Sequence, residues 1–241
     1  ALELRVAIIP TSAGNEDAVL RLLAASKAMP LDGVGLDPDN LAKLKWISER
    51  PYGLALVVGP TGSGKTTTLH ALLGHMNTRE WKIWTAEDPV EITQAGLRQV
   101  QVQPKIGLTF AATLRSFLRA DPDIIMVGEM RDAETATIAV EASLTGHLVL
   151  STLHTNNAPE TVTRLLEMGV DGFSFADSLV AVLAQRLVRS LCPKCRAPRA
   201  ASAADILALS EEYGPSWEQL DPLPSVGMTL HGKGPGCDTC R

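Results

Sequence analysis

The chain has 241 residues, 45% of them hydrophobic and 20% charged, with a formal net charge of −5. That is enough apolar material for one large or two smaller domains with a real core, and the acidic balance excludes holding nucleic acid backbones by bulk electrostatics, leaving only local basic patches. No apolar run nears the roughly 18 residues that cross a bilayer and no signal-peptide series opens the sequence, so a cytosolic chain is expected, where paired cysteines are more often metal ligands than disulfides.

Residues 1–23 read as two short strands, "LELRVAII" and "AVLRLL", joined by the turn-forming "PTSAGNED". Leu2, Leu4, Val6 and Ile8 alternate from the first positions without a leading Met, so the sequence is expected to be a fragment that begins inside a small β-containing unit. Residues 24–36 read as a linker, after which Asp37 and Pro38 supply the N-cap and first position of a helix. Four strands of buried type follow, "LALVV" at 54, "KIWTA" at 82, "DIIMV" at 123 and "HLVLST" at 147. Helical stretches such as 65–76 and 133–144 separate them, an alternation that predicts an α/β domain over 37–190 with a parallel sheet covered on both faces. The pattern from 159 to 190 reads as helical, "VAVLAQRLVRSL" most strongly. Residues 191–241 are rich in Pro, Gly, Ala and Ser and hold all four cysteines.

"GPTGSGKT" at 59–66 has the form G-x-x-x-x-G-K-[ST] and sits between an apolar strand and a helix, the context a phosphate-binding loop requires. Gly59, Pro60, Thr61, Gly62, Ser63 and Gly64 would turn successive N–H groups toward phosphate oxygens, with the helix N-terminus adding its positive dipole end. Lys65 would reach the β and γ phosphates, Thr66 would ligate Mg²⁺, and Thr67 continues the contact into the helix. Nucleotide binding follows from this stretch alone.

Such a loop needs an acidic partner on another strand. Glu129 follows "IIMV", preceded by Gly128 where many such enzymes carry Asp. Glu87 and Asp88 end the strand "IWTA", where ligands of open α/β sheets bind. Either Glu87 or Glu129 could orient the attacking water. Arg5, Arg21, Arg115 and Arg119 are candidates for stabilising a transferring phosphoryl group. By spacing alone, Arg115 and Arg119 fit a solvated helix face better. His147 opens the strand "HLVLST" and His154 follows it; each could sense a phosphate or be a satisfied, hydrogen-bonded histidine.

Together these motifs resemble the secretion ATPases of type II secretion and type IV pilus assembly. The resemblance rests on "LRVAIIPT", "AVLRLL", "GPTGSGKTTTLHALL", "EDPVE", "RSFLRADPDIIMVGEMRDAETATIAVEASLTGHLVLSTLHTN", "AQRLVRSLCPKC" and "GCDTC". It implies a RecA-like P-loop core, a remnant of a PAS-like N-terminal domain in 1–23, and a tetracysteine zinc subdomain in 191–241. By position, Lys65 and Thr66 become nucleotide and Mg²⁺ contacts, Glu129 the Walker B carboxylate and Glu87 the Asp-box acid. Arg5, Arg21, Arg115 and Arg119 match arginines that approach the phosphates on domain closure, some across a subunit boundary, and His147 and His154 match the His box. Ala112 departs from relatives that often carry arginine there. The resemblance further implies ATP hydrolysis by a homohexamer, cytoplasmic but held at the inner membrane by a platform of partners, and no nucleic acid. The alternative is a nucleic-acid-translocating RecA-like motor, against which the 4% aromatic content argues by offering few stacking platforms.

Cys192, Cys195, Cys237 and Cys240 form two CxxC pairs. The spacing between the pairs exceeds the common zinc template, so it leaves redox and metal readings open. In the resembled family the two pairs make one structural zinc site, which points to the assembly branch. The sequence stops one residue after Cys240, where relatives continue, and is expected to be truncated there.

Overall fold

The structure is a computed structural model that describes residues 3–23 and 27–240, without the side chains of residues 3, 5 and 21–23. Its elements in chain order are β1 (Glu3–Pro10), β2 (Glu16–Leu23), α1 (Pro38–Ser48), β3 (Gly53–Val58), α2 (Lys65–Met76), β4 (Ile83–Glu87), β5 (Arg98–Gln101), α3 (Phe110–Phe117), β6 (Ile124–Val127), α4 (Ala133–Leu144), β7 (Leu148–Leu153), α5 (Ala158–Glu167), α6 (Gly172–Ser178), β8 (Leu179–Ala184), β9 (Ala197–Ala200), α7 (Ala203–Tyr213) and β10 (Thr229–Gly232). They fall into two compact units, Ala1–Leu187 and Val188–Arg241.

A sheet in the order β5-β4-β6-β7-β3-β8, parallel at every pairing, organises the first unit. Its inner strands are apolar throughout because both faces are covered. Along β3 the side chains alternate between the two. Leu54, Leu56 and Val58 pack with Leu114 of α3 and Ile138 and Ala139 of α4, while Ala55 and Val57 pack with Ile47 of α1 and Leu69, Leu72 and Leu73 of α2. Each fully buried leucine contributes about 1.5–3 kcal/mol, so this double layer is the main source of rigidity beneath the strand ends. α1 starts as its sequence requires: Asp37 Oδ1 accepts from the backbone N–H of Asp39 and Asn40, each at 3.1 Å, with Pro38 at the first helical position. β1 and β2 form an antiparallel hairpin in which Arg5 stands opposite Arg21 in register.

Two strands of this sheet depart from the sequence reading. The expected helix through 159–190 is instead α5 and α6 followed by β8, which pairs in parallel with β3. "LVAVLA" is apolar enough to serve either period, and the open backbone edge of β3 decides for a strand. β5 is polar and partly exposed at the other edge, so it carries no run of buried apolar residues to mark it.

In the second unit β9 and β10 pair antiparallel, Ala197 opposite Gly232 and Ala200 opposite Thr229. Ser202 and Asp205 close a capping box at the start of α7, and Arg199 donates two hydrogen bonds to the Asp205 carboxylate at 2.6 and 2.7 Å. That ion pair holds Asp205 far below the usual carboxylate range. Among the described residues, no helix of either unit is long and apolar enough to cross a membrane.

Candidate active site

Because the sheet is parallel, β3, β4, β6, β7 and β8 all deliver their following residues to the same edge. β3 leads into the loop 59–64, where Gly62 and Gly64 take φ of 79° and 85°, the left-handed region that strains any residue with a side chain. Gly59 answers a second demand, close approach: a Cβ there would lie 2.3 Å from the Gln185 carbonyl oxygen. α2 begins at Lys65, so its free N–H groups open onto the loop. Lys65 Nζ donates to the carbonyls of Gly59 at 2.8 Å and Pro60 at 3.0 Å, folding the ammonium onto its own loop. Burial lowers its pKa, with the Glu129 charge acting in the opposite direction. Ser63 Oγ is buried with no hydrogen-bond partner among the described residues. An unpaired hydroxyl, N–H groups at a helix start and a lysine at the mouth are what a phosphate group requires.

Glu87, at the end of β4, is 3% exposed. Its Oε1 accepts from Thr85 Oγ1 at 2.6 Å and Gln99 Nε2 at 3.0 Å, and its Oε2 lies 3.0 Å from His70 Nε2. Gln94 Nε2 is 2.9 Å from both His70 Nδ1 and the His70 carbonyl. The amide therefore donates to Nδ1, which leaves the proton on Nε2 and directs it to Glu87. Burial works to raise the Glu87 pKa, but the hydrogen bonds from His70, Thr85 and Gln99 outweigh it and hold the carboxyl below its ordinary value.

Glu129 follows β6 by two residues. Arg131 Nη2 meets its Oε1 at 2.5 Å, and His154 Nε2 stands 3.4 Å from its Oε2. Arg131 Nη1 is also 3.9 Å from Asp88 Oδ2, and the Glu129 contact raises the guanidinium's pKa further. Gly128 lies close beneath β4, where a Cβ would come 3.2 Å from the Ala86 carbonyl.

The loop and the carboxylates line one cavity of about 480 Å³, bounded by residues 61–67 with Glu87, Asp88, Glu91, Glu129 and His154. Its size suits a nucleotide, and with four carboxylates and few cations at its rim a polyphosphate would need a divalent ion beside it. Other sequence-derived candidates lie elsewhere. His147 is at the opposite end of β7, its Nδ1 3.0 Å from the Ala142 carbonyl. Arg115 pairs with Glu134 of α4 at 2.6 Å, and Arg119 is exposed just past α3. The side chains of Arg5 and Arg21 lie outside the described residues. Sequence reasoning missed His70, Arg131 and Gln185. All three lie in stretches that carry the family resemblance, but only Arg131, two positions after Glu129, stands beside a residue singled out for the site.

The antiparallel pairing of β9 with β10 brings together the CxxC pairs that flank it. Cys192 Sγ lies 3.8 Å from Cys237 Sγ, Cys195 Sγ 3.6 Å from Cys240 Sγ, and Cys237 Sγ 3.8 Å from Cys240 Sγ. All four sulfurs are within 4.8 Å of one another. Thiolates around tetrahedral zinc, with bonds near 2.3 Å, stand about 3.8 Å apart, so the set fits zinc. Hydrogen bonding with Cys240 pushes Cys195 up to about 12, while the backbone at Thr239 draws Cys237 down to about 7. Gly234 permits the close approach, since a Cβ there would fall 1.5 Å from the Cys195 carbonyl.

The profile of the type II/IV secretion system protein family matches residues 1–241. The chain is 57% identical over 198 residues to the type IV pilus assembly ATPase PilB of Myxococcus xanthus, covering 82% of this chain and 35% of that protein. It is 52% identical over 242 residues to the type II secretion system protein E of Dickeya dadantii, covering 100% of this chain and 46% of that protein. It thus spans less than half the length of either. The solved pilus retraction motor PilT with bound ADP superposes with a TM-score of 0.65 at 35% identity, covering 77% of this chain and 55% of that one. The Legionella pneumophila ATPase DotB gives a TM-score of 0.66 at 28% identity, covering 78% and 54%. A nucleic-acid motor gains no support from these relatives.

Proposed function

The chain belongs to the type II/IV secretion system protein family, and on that premise we propose that it is the catalytic segment of an ATPase powering assembly of pilin-like filaments, for protein secretion or pilus extension. One observation carries this reading: a single cavity at the C-terminal edge of a parallel sheet gathers the phosphate loop, Lys65, Glu87 and Glu129.

In this reading Lys65 leaves the carbonyls of Gly59 and Pro60 for the β and γ phosphates of ATP. The N–H groups of the loop and the first turn of α2, with residues 59–64 and Thr67, hold the phosphate oxygens. Thr66 would hold Mg²⁺, which would offset the phosphate charge beside the surrounding carboxylates. Glu129 aligns water with the γ phosphorus; water adds, the bond to the bridging oxygen breaks, and ADP and phosphate leave. Glu87, its proton given up and both oxygens hydrogen-bonded, contributes fixed negative charge beside that water. His154 is placed to follow the charge on Glu129. Arg115, Arg119, Arg5 and Arg21 act from outside this cavity, on domain closure or from a neighbouring subunit of a homohexamer.

The second unit, residues 191–241 in its metal-binding part, takes Zn²⁺ through Cys192, Cys195, Cys237 and Cys240. Four ligands leave no open position, so the zinc is structural. Residues 1–23 close a PAS-like N-terminal domain, 24–36 link it, and 37–190 form the RecA-like core. The intact protein works in the cytoplasm, held at the inner membrane by platform components. A fluorescent ATP analogue with Mg²⁺, titrated into the wild-type chain and Lys65→Ala, tests the site: saturable binding lost in the variant supports it, and equal affinity rejects it.

A further inference from the structure

Gln185 is the first residue after β8, the outer neighbour of the strand that feeds the phosphate loop. Its backbone N–H donates to the carbonyl of Val58, the last residue of β3, at 2.9 Å, carrying the pairing one step past β8 to the root of the loop. Its own carbonyl fills the space that Gly59 leaves by lacking a Cβ. The side chain then spans the loop's far end: Nε2 donates to the Ser63 carbonyl at 2.6 Å and Oε1 accepts from Thr68 Oγ1 at 2.9 Å. These contacts sit on either side of Gly64, the left-handed residue at which loop becomes helix. The Ser63 carbonyl can only accept and the Thr68 hydroxyl can donate, so an amide suits both and a carboxylate would repel the first.

We infer that Gln185 is a positioning residue for the phosphate loop, fixing loop and helix start in one arrangement so that nucleotide binds without having to order them. This rests on the reading that the loop binds nucleotide. It adds a determinant of affinity that lies on no phosphate-binding motif and need not touch the nucleotide.

Titration of the fluorescent ATP analogue with Mg²⁺, read for both Kd and stoichiometry, tests it. Gln185→Ala and Gln185→Glu are expected to raise Kd about tenfold at unchanged stoichiometry, the scale of one or two lost hydrogen bonds. Thr68→Val raises it part of that way, Thr68→Ser restores it, and Gln185→Ala with Thr68→Val is no worse than Gln185→Ala. Wild-type Kd in both Gln185 variants, with binding lost in Lys65→Ala, overturns the inference. So does lowered stoichiometry at unchanged Kd, which marks a folding role. Wild-type binding in Lys65→Ala rejects the nucleotide reading itself. Should Gln185→Ala fail to fold, the contrast of Thr68→Val with Thr68→Ser decides: equal wild-type Kd in both overturns the inference.

Discussion

His70 Nε2 lies 3.0 Å from Glu87 Oε2 with both side chains buried, tying the helix that follows the phosphate loop to the strand that carries the acidic edge. Glu87 is thereby given a third donor beside Thr85 and Gln99. The bond crosses between two elements and keeps the carboxylate ionised at the cavity wall.

His70→Phe removes that donor while filling the space. The variant should unfold with about 2–4 kcal/mol less free energy in urea, because a buried carboxylate is left short of a partner. His70→Gln, which retains an N–H, should lose less. Equal stability of wild type and His70→Phe would show that the pair is not part of the fold's support.

The same carboxyl sets an acid dependence. Its native pKa lies below the ordinary value of 4.5, its burial outweighed by hydrogen bonds. A depressed native pKa stabilises above the unfolded pKa, and that contribution is lost as pH falls from that ordinary value through the native one. Stability of the wild type should therefore fall more steeply in this range than that of Glu87→Gln. Parallel acid profiles would contradict the assignment.

Gly59→Ala would bring a Cβ within 2.3 Å of the Gln185 carbonyl, a backbone atom that cannot rotate away. Loop displacement is expected, with nucleotide affinity down at least about tenfold and a stability loss of about 1–3 kcal/mol. Unchanged affinity would mean that the loop is not held as described.

For the sulfur cluster, elemental analysis should give one zinc per chain and almost none in Cys195→Ser. Thiols of Cys192, Cys237 and Cys240 should then react freely with a disulfide reagent, and nucleotide binding should persist because the loop belongs to the other unit. Full zinc in Cys195→Ser would remove that cysteine from the ligand set.

The inner strands and their helices were legible because burial on both faces writes a continuous apolar run, as in "LALVV" and "DIIMV", and because a Gly-rich loop followed by Lys-Thr has little other use. β8 was not, since "LVAVLA" satisfies either period and only the open edge of β3 settles it. That misreading concealed Gln185, whose partners lie more than a hundred positions away. His70 was hidden for a related reason: on a helix it reads as one polar residue among leucines, and its meaning comes from Glu87 on another element. Conversely, His147 and His154 look equivalent in sequence, yet a single strand separates them to opposite edges of the sheet.

The most direct test of the account is Mg²⁺-dependent ATP turnover by wild type and Glu129→Gln in one set of conditions, with nucleotide binding measured alongside. Binding should be retained within about threefold while phosphate release falls by about a hundredfold or more, the scale of removing a group that acts in the transition state. Phosphate release by Glu129→Gln at the wild-type rate would contradict the central claim that this carboxylate, at the end of β6, orients the water.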